Sequence, residues 1–381
     1  MPSADLRHVG INAVFLEPAM GGLDLYVRAL IPALARQAPA TRFTVFANPL
    51  GAEYLRGAGL SDVATIRTSR ALRRGGRLIA ELTALGVWAR REGCDLLHSV
   101  ALTGPLRPSI PHVVTLADIT WIVEPDPDEG AQRLWRAVVP HVARRADRLI
   151  AISTAAADQI VEQLRVHRDR IDVVALGHGT GQRPDPTPEA ALRERHAIPP
   201  GPVVLAVSAK KVHKNLPRLV AAIAHVPDAV LVMVGKSTPH ELEMREQAAR
   251  LGIADRVIFP PYVDDADLEG LYAVARALVF PSLNEGFGIP ILEAMARGVP
   301  VATSNVSSMP EVAGDAALLF DPRDEHAIAA AIRRLLTDDA LRADLIERGR
   351  VRQAQFTWAA AAAGTLASYA RAVDGRSSQR R

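Results

Sequence analysis

The chemistry-bearing residues of this 381-residue chain gather in one run, Pro281-Ser-Leu-Asn-Glu285-Gly-Phe-Gly288-Ile-Pro290-Ile-Leu-Glu293-Ala-Met-Ala-Arg-Gly298. An apolar strand pattern ends at Phe280. Gly286 and Gly288 then let backbone come close to a ligand, and Pro290 suits the first turn of a helix. The N–H groups of Phe287 to Ile289 would face an anion with the helix dipole behind them. Glu293, a few residues into that helix, would repel a bare phosphate but can accept two hydrogen bonds from the paired hydroxyls of a sugar. Glu285, before the glycine turn, could serve a second sugar. Such a set suits a nucleotide-linked sugar; the competing reading is two surface glutamates either side of a turn.

The elements that would position this run repeat along the chain. Strand patterns fall at Ile11–Leu16, Phe43–Ala47, Leu96–Ser99, Val113–Leu116, Leu149–Ile152 and Ile171–Ala175. Between them lie helical patterns, the first carrying Leu25, Ala29, Leu30 and Leu34 on one face after the loop Ala19-Met20-Gly21-Gly22. The turn-rich stretch Gly181 to Pro188 interrupts the series. It then restarts with strands at Val203–Val207, Val230–Val234, Val257–Phe259, Ala277–Phe280 and Val299–Ala302. Helices at Leu216–Ala224, Leu242–Leu251, Leu268–Ala275 and Ile289–Arg297 fill the gaps. Apolar strands alternating with helices predict parallel sheets covered on both faces. Two α/β domains of similar size follow, with a shared ligand expected at the strand ends.

Bulk properties agree. At 49% hydrophobic and 23% charged, the chain is rich enough in apolar residues to exclude a disordered one. A net charge of +3 points to no nucleic-acid partner. Cys94 is the only cysteine, which removes intrachain disulfides and cysteine metal clusters. No basic start and apolar core of a secretory signal occupies Met1 to Asn12, and no run reaches the length of a membrane span. A cytoplasmic location is expected. Arg70, Arg73, Arg74 and Arg77, followed by Trp88, Arg90 and Arg91, form a basic cluster. It reads as a solvated helix face or as a contact for anionic lipid or a phosphorylated acceptor. Asp264, Asp265 and Asp267 read as a solvated turn or helix cap, and none of the 11 histidines has a metal-ligand spacing. His98 and His112 read as buried or capped, or as lining an acceptor cleft.

The glutamate–seven residues–glutamate run resembles the signature of the retaining glycosyltransferase family 4, which is built on the GT-B fold. The likeness continues through Val301 to Pro322 and recurs at Lys214-Asn215, at Phe356-Thr357-Trp358 and, more weakly, from Gly21-Gly22 to Tyr26. Its pattern is nearest to mannosyl- and rhamnosyltransferase-like branches. The resemblance implies two Rossmann-like domains facing across a cleft: an acceptor-side domain over residues 1–182 and a nucleotide-sugar domain over residues 183–357. Residues 358–381 would form a helix crossing back to the first domain and a basic tail.

The same resemblance implies roles for single residues. Glu293 would hold the donor ribose, and Glu285 the transferred sugar, with Gly286, Phe287 and Gly288 assisting. Lys214 would neutralise the diphosphate as the sugar leaves, and Gly21 and Gly22 would bring backbone to the same phosphates. Glu285, Asp118 and Lys214 form the implied catalytic set. Lys210 would add charge where relatives carry arginine, although Lys210 and Lys211 also read as solvated. No metal or cofactor is implied, because side-chain cations and a helix dipole stabilise the leaving group.

The implied reaction moves a sugar, GDP-mannose being the first donor to try, to a hydroxyl of a polysaccharide, lipid-linked or small natural-product acceptor. Peripheral contact at the inner membrane face is part of that picture. Ala117 stands where such proteins commonly have histidine, Ser208 and Ala209 replace a usual glycine and arginine region, and His178 adjoins Gly179. These departures motivate the alternatives of a catalytically degenerate donor-binding protein and, further off, a nucleotide-sugar epimerase.

Overall fold

The computed structural model describes residues 6–18, 21–69, 72, 76–125, 132–179 and 183–379. Met1, Ala19, Met20, Arg70, Arg73, Arg74 and Gly181, named above, and residues 380–381 of the basic tail lie outside the described residues. The chain divides into two compact units. The first comprises Met1–Ile122, Glu129–Thr180 and Phe356–Arg381, and the second Val123–Asp128 and Gly181–Gln355.

The first unit holds seven strands: β1 (His8–Ala13), β2 (Arg42–Ala47), β3 (Thr65–Arg67), β4 (Leu96–Ser99), β5 (His112–Leu116), β6 (Arg148–Ala151) and β7 (Ile171–Val173). All are parallel, in the order β3-β2-β1-β4-β5-β6-β7. Strand β1 starts three residues before the expected Ile11 and stops at Ala13. Polar His8 and side-chain-free Gly10 hid this beginning from an apolar-run criterion. His8 is accommodated because its Nε2 lies 2.8 Å from Thr44 Oγ1 on β2. Leu16, expected in the strand, instead donates its N–H to Ala13 O in a turn (3.0 Å).

The helix Trp358–Gln379 packs onto the helix Gly22–Gln37 and strands β5 to β7 of this unit, so the C-terminus returns to the N-terminal unit as expected. Its Trp358 indole donates to Gly179 O at 2.8 Å. Gly177 is required beneath it, since a Cβ there would stand 2.4 Å from Trp358 N. Tyr369 of the same helix closes a buried chain of polar groups: its hydroxyl is 2.7 Å from His98 Nδ1, and His98 Nε2 is 2.8 Å from Thr115 Oγ1. Tyr26 OH completes it at 3.0 Å from the same Thr115 oxygen.

The second unit holds β8 (Val203–Val207), β9 (Val230–Val234), β10 (Val257–Ile258), β11 (Ala275–Phe280), β12 (Val301–Ser304) and β13 (Ala317–Phe320). They run parallel in the order β10-β9-β8-β11-β12-β13. Leu219, Ile223, Leu231, Met233, Val279, Ile328 and Ile332 lie in the core between this sheet and the helices Leu216–Ala224 and Glu325–Thr337. Each sheet reverses its winding once, between β1 and β4 and between β8 and β11, the doubly wound pattern in which ligands collect at the strand ends beside the reversal. Two Rossmann-like units with a returning C-terminal helix are the GT-B architecture.

Candidate functional site

The reversal in the second unit lies between the neighbouring strands β8 and β11, and the loops leaving these two strands carry the residues singled out by sequence. From β8 the chain runs to Lys214 and Asn215, which precedes the helix Leu216–Ala224. From β11 it runs through Asn284, Glu285 and Gly288 into the helix Ile289–Ala296. The loops are tied together by Leu283 N–H donating to His213 O at 2.8 Å. Asn215 is the knot. Its backbone is left-handed (φ 56°), and its buried side-chain amide donates to Pro281 O (3.1 Å) and Pro322 O (2.7 Å).

Glu285 and Lys214 meet directly. Lys214 Nζ donates to Glu285 Oε1 at 2.6 Å, and the Ser282 hydroxyl donates to the same oxygen at 2.7 Å. The ammonium also lies 5.5 Å from the Phe280 ring centroid, a cation–π contact. Both side chains are mostly buried, at 17% and 12% exposure, so this is a shielded pair rather than a surface one. Ser307 and Ser308 fix the loop backbone. Glu285 N–H donates to Ser307 Oγ at 3.2 Å, and the Ser308 hydroxyl donates to Phe287 O at 2.6 Å. Ser307 itself is left-handed, at φ 56°.

Gly288 sets the start of the helix that carries Glu293. Its φ of 122° is one that L-residues rarely adopt, and a Cβ would stand 3.1 Å from Ile291 Cδ1. Pro290 occupies the first helical turn as expected. Glu293 Oε2 accepts from the Tyr272 hydroxyl at 3.3 Å. Tyr272 is buried; burial first, and then the adjacent Glu293 charge, raise its phenol pKa well above 10. Arg297, one turn on, lies over the Tyr272 ring at 4.4 Å and donates to the Glu293 backbone carbonyl at 2.9 Å. Its guanidinium grips both oxygens of Glu269, with Nε 3.0 Å from Oε2.

Lys210 lies in the same loop after β8. It is 1% exposed, donates to Gly235 O at 2.8 Å and pairs with Glu241 Oε2 at 3.4 Å. Burial lowers its pKa, with Glu241 opposing. Among the sequence-derived candidates, Gly21, Gly22 and Asp118 belong to the first unit. Gly21 (φ 66°) precedes the helix Gly22–Gln37, and Asp118 Oδ1 accepts from Thr120 N–H at 3.1 Å.

The three aspartates split. Asp264 caps the helix Asp265–Val274 by accepting from Asp267 N–H at 2.8 Å, as anticipated. Asp267 is not solvated: its buried carboxylate takes Arg195 at 2.5 Å, Thr187 at 2.7 Å and His196 at 2.8 Å. Burial alone would raise its pKa, but hydrogen bonds from Arg195, Thr187 and His196 hold it down to about 2.

His98 and His112 are fully buried, and burial pushes both down to about 3. In the first unit, Arg77 of the basic cluster pairs with Glu17 at 2.9 Å. Trp88 and Arg91 line a cavity of about 300 Å³ with Phe46, Arg67, Ser69 and Leu72. His225, Glu325 and His326 bring three donor atoms within 4.8 Å, a grouping that sequence spacing could not show. The Arg333 guanidinium donates to the His225 carbonyl at 3.0 Å, and Glu325 is the first residue of its helix, after the capping Asp324.

Sequence reasoning passed over Ser282, Ser307, Ser308, Tyr272 and the Arg297–Glu269 pair. The spacing of Arg297 four residues after Glu293 was the one available signal. No helix among the described residues is long and apolar enough to cross a membrane.

Comparison with known proteins adds the family. Residues 20–181 match Glycosyltransferase Family 4, and residues 189–352 match Glycosyl transferases group 1. The chain is 52% identical over 108 residues to O-antigen chain mannosyltransferase B of Escherichia coli, a stretch that covers 28% of this chain and 28% of that protein. It is 30% identical over 297 residues, 74% of this chain and 69% of the relative, to the MMP alpha-(1->4)-mannosyltransferase of Mycolicibacterium hassiacum. The sucrose-phosphate synthase of Thermosynechococcus elongatus shares the fold at TM-score 0.72 and 24% identity, over 94% of this chain and 97% of that one. The aligned region spans only about 28% of the length of the E. coli mannosyltransferases that head these relatives. The chain belongs to the family 4 (group 1) glycosyltransferases of GT-B fold.

Proposed function

We propose that the protein transfers a sugar from a nucleoside-diphosphate sugar to a hydroxyl acceptor with retention at the anomeric carbon, without a metal. The observation that carries this is the pairing of Lys214 with Glu285 beside the helix that bears Glu293, on adjacent strand ends at the reversal of a doubly wound sheet. In this reading Glu293 receives the ribose hydroxyls and Glu285 those of the transferred sugar. Lys214 leaves Glu285 for the diphosphate, where negative charge grows as the glycosidic bond breaks.

Classical retaining hydrolysis places two carboxylates about 5 Å apart around the anomeric carbon. Here Glu285, whose Oε1 keeps the Ser282 hydroxyl when Lys214 leaves, is assigned to binding the sugar rather than attacking it. GDP-mannose is the donor we assign first, because the relatives in E. coli and M. hassiacum are named mannosyltransferases. A polysaccharide or lipid-linked hydroxyl is the acceptor class we assign, and a cytoplasmic setting with peripheral contact at the membrane face accompanies it.

The test is a donor panel of GDP-mannose, UDP-glucose, UDP-GlcNAc and a dTDP-deoxysugar, with mass spectrometry reading both binding and transfer. Transfer to an added acceptor supports the proposal. Binding without transfer points to a degenerate donor-binding protein, and an altered sugar without an acceptor points to an epimerase. Proton NMR of the product's anomeric centre decides retention.

A further inference from the structure

Glu293 lies in the helix Ile289–Ala296 and Arg297, four residues on, is its C-cap residue, so the acid is N-terminal to the base at the spacing at which such pairs join most readily. They do not join through their side chains. Arg297 reaches the Glu293 backbone carbonyl and turns its guanidinium onto Glu269, which grips it through both oxygens from the helix Asp265–Val274. The guanidinium also lies over the Tyr272 ring, 4.4 Å from its centroid, a cation–π contact. Both members of the pair are largely shielded, at 15% and 12% exposure, so the interaction is strong enough to decide where the charge goes. The Glu293 carboxylate keeps the Tyr272 hydroxyl as its neutral donor. That phenol stays protonated at any working pH, since burial and the Glu293 charge raise its pKa well above 10.

We infer that Glu269 is a positioning residue for donor binding: it holds the Arg297 guanidinium away from the Glu293 carboxylate and so leaves that carboxylate open to the donor's paired hydroxyls. The inference rests on the assignment of Glu293 to the ribose. Without Glu269 the guanidinium would be a shielded cation with one anion within reach of its own helix, Glu293, and the two would close on each other. Arg183, the other cation near Glu269 at 3.9 Å, is half exposed and can return to water. Loss of Glu269 therefore damages binding by creating a new ion pair rather than by removing a contact to the donor. That makes the damage reversible by a second substitution.

The test is calorimetric titration of GDP and of UDP into wild type, Glu293→Ala, Glu269→Gln, Glu269→Asp, Arg297→Ala and the double variant Glu269→Gln/Arg297→Ala. Glu269→Gln keeps the side-chain shape, so it also serves where a shorter residue would unsettle the helix pair. We expect Glu269→Gln to weaken the nucleotide that binds by about tenfold and Glu269→Asp to recover most of the loss. We expect the double variant to bind within about twofold of Arg297→Ala. A purely structural role for Glu269 would make the double variant bind no better than Glu269→Gln, and that result overturns the inference. So does wild-type affinity in Glu269→Gln when Glu293→Ala binds weakly. Wild-type affinity in Glu293→Ala instead overturns the ribose assignment itself.

Discussion

Asn215 offers the sharpest check on how the site is built. Replacing it with alanine removes two hydrogen bonds from its amide to Pro281 O and Pro322 O. Each is worth about 1 kcal/mol at a buried carbonyl. It also forces an L-residue without a local polar group into φ 56°, a further cost of roughly 1 kcal/mol. Asn215→Ala should thus destabilise the second unit by about 3 kcal/mol. Asn215→Gly, which escapes the backbone strain, should cost about 2 kcal/mol. Trp88, Trp121, Trp135 and Trp358 all belong to the first unit, so indole fluorescence does not report on this loss. Hydrogen exchange of the amides of β8 and β9 does. The alanine variant should exchange about 150-fold faster there and the glycine variant about 30-fold faster, at roughly 1.4 kcal/mol per tenfold. Wild-type exchange in Asn215→Gly would refute the hydrogen-bond argument, and equal rates in the two variants would refute the strain argument.

Other consequences are independent of that knot. His98 and His112 are held near a pKa of about 3 in the folded first unit, against 6.5 when unfolded. Below pH 6.5 the unfolded chain binds more protons, so stability is complete above that pH and falls as pH drops toward 3. At pH 5 each histidine should subtract about 2 kcal/mol. Urea midpoints read by tryptophan fluorescence at pH 7 and 5 test this, and an unchanged midpoint counts against it. Asp267, held at about 2 rather than 3.8, contributes about 2 kcal/mol to the second unit; this is present above pH 4 and lost as pH falls toward 2. Asp267→Asn should remove it at pH 7, seen as faster exchange in β8 with unchanged tryptophan fluorescence. Gly288→Ala must bear a φ of 122° and a 3.1 Å contact with Ile291. It should weaken GDP or UDP binding at least tenfold, at a strain of roughly 1–3 kcal/mol, while the urea midpoint of the first unit stays put.

How much of this was legible in the sequence depends on the range of the interaction. The strands Val203–Val207 and Val230–Val234 and the helix Leu216–Ala224 fall where apolar periodicity and turn residues put them, because burial on both faces of a parallel sheet writes itself as a local run. The short edge strand β3, with only Ile66 apolar, has no such run, and β1 begins on a histidine whose polarity is satisfied by Thr44 across the sheet. The loop from Pro281 to Gly288 was legible because Gly288 and Pro290 meet local backbone demands. Its supports were not. Ser307 and Ser308 reach it from more than 20 residues away, and Glu269 holds Arg297 from 28 residues away. Asp267 looked like one more acid in an exposed Asp-rich turn, and only the approach of Arg195, His196 and Thr187 makes it a buried hub.

Three cations of the second unit are each matched with an acid: Lys214 with Glu285, Lys210 with Glu241, and Arg297 with Glu269. Under the proposed reading these pairs differ in what they can give up. Lys210 is 1% exposed and also bound to Gly235 O, and Arg297 is gripped at two oxygens and lies over a ring. Releasing either would strand a charge in a shielded place, at a cost of several kcal/mol. Lys214 makes a single contact to Glu285, whose oxygen also has the Ser282 hydroxyl to fall back on. A diphosphate offers Lys214 a stronger anion, and sugar hydroxyls offer Glu285 replacement donors. The Lys214–Glu285 pair is therefore the one that donor binding can open, and the other two are the frame against which it opens.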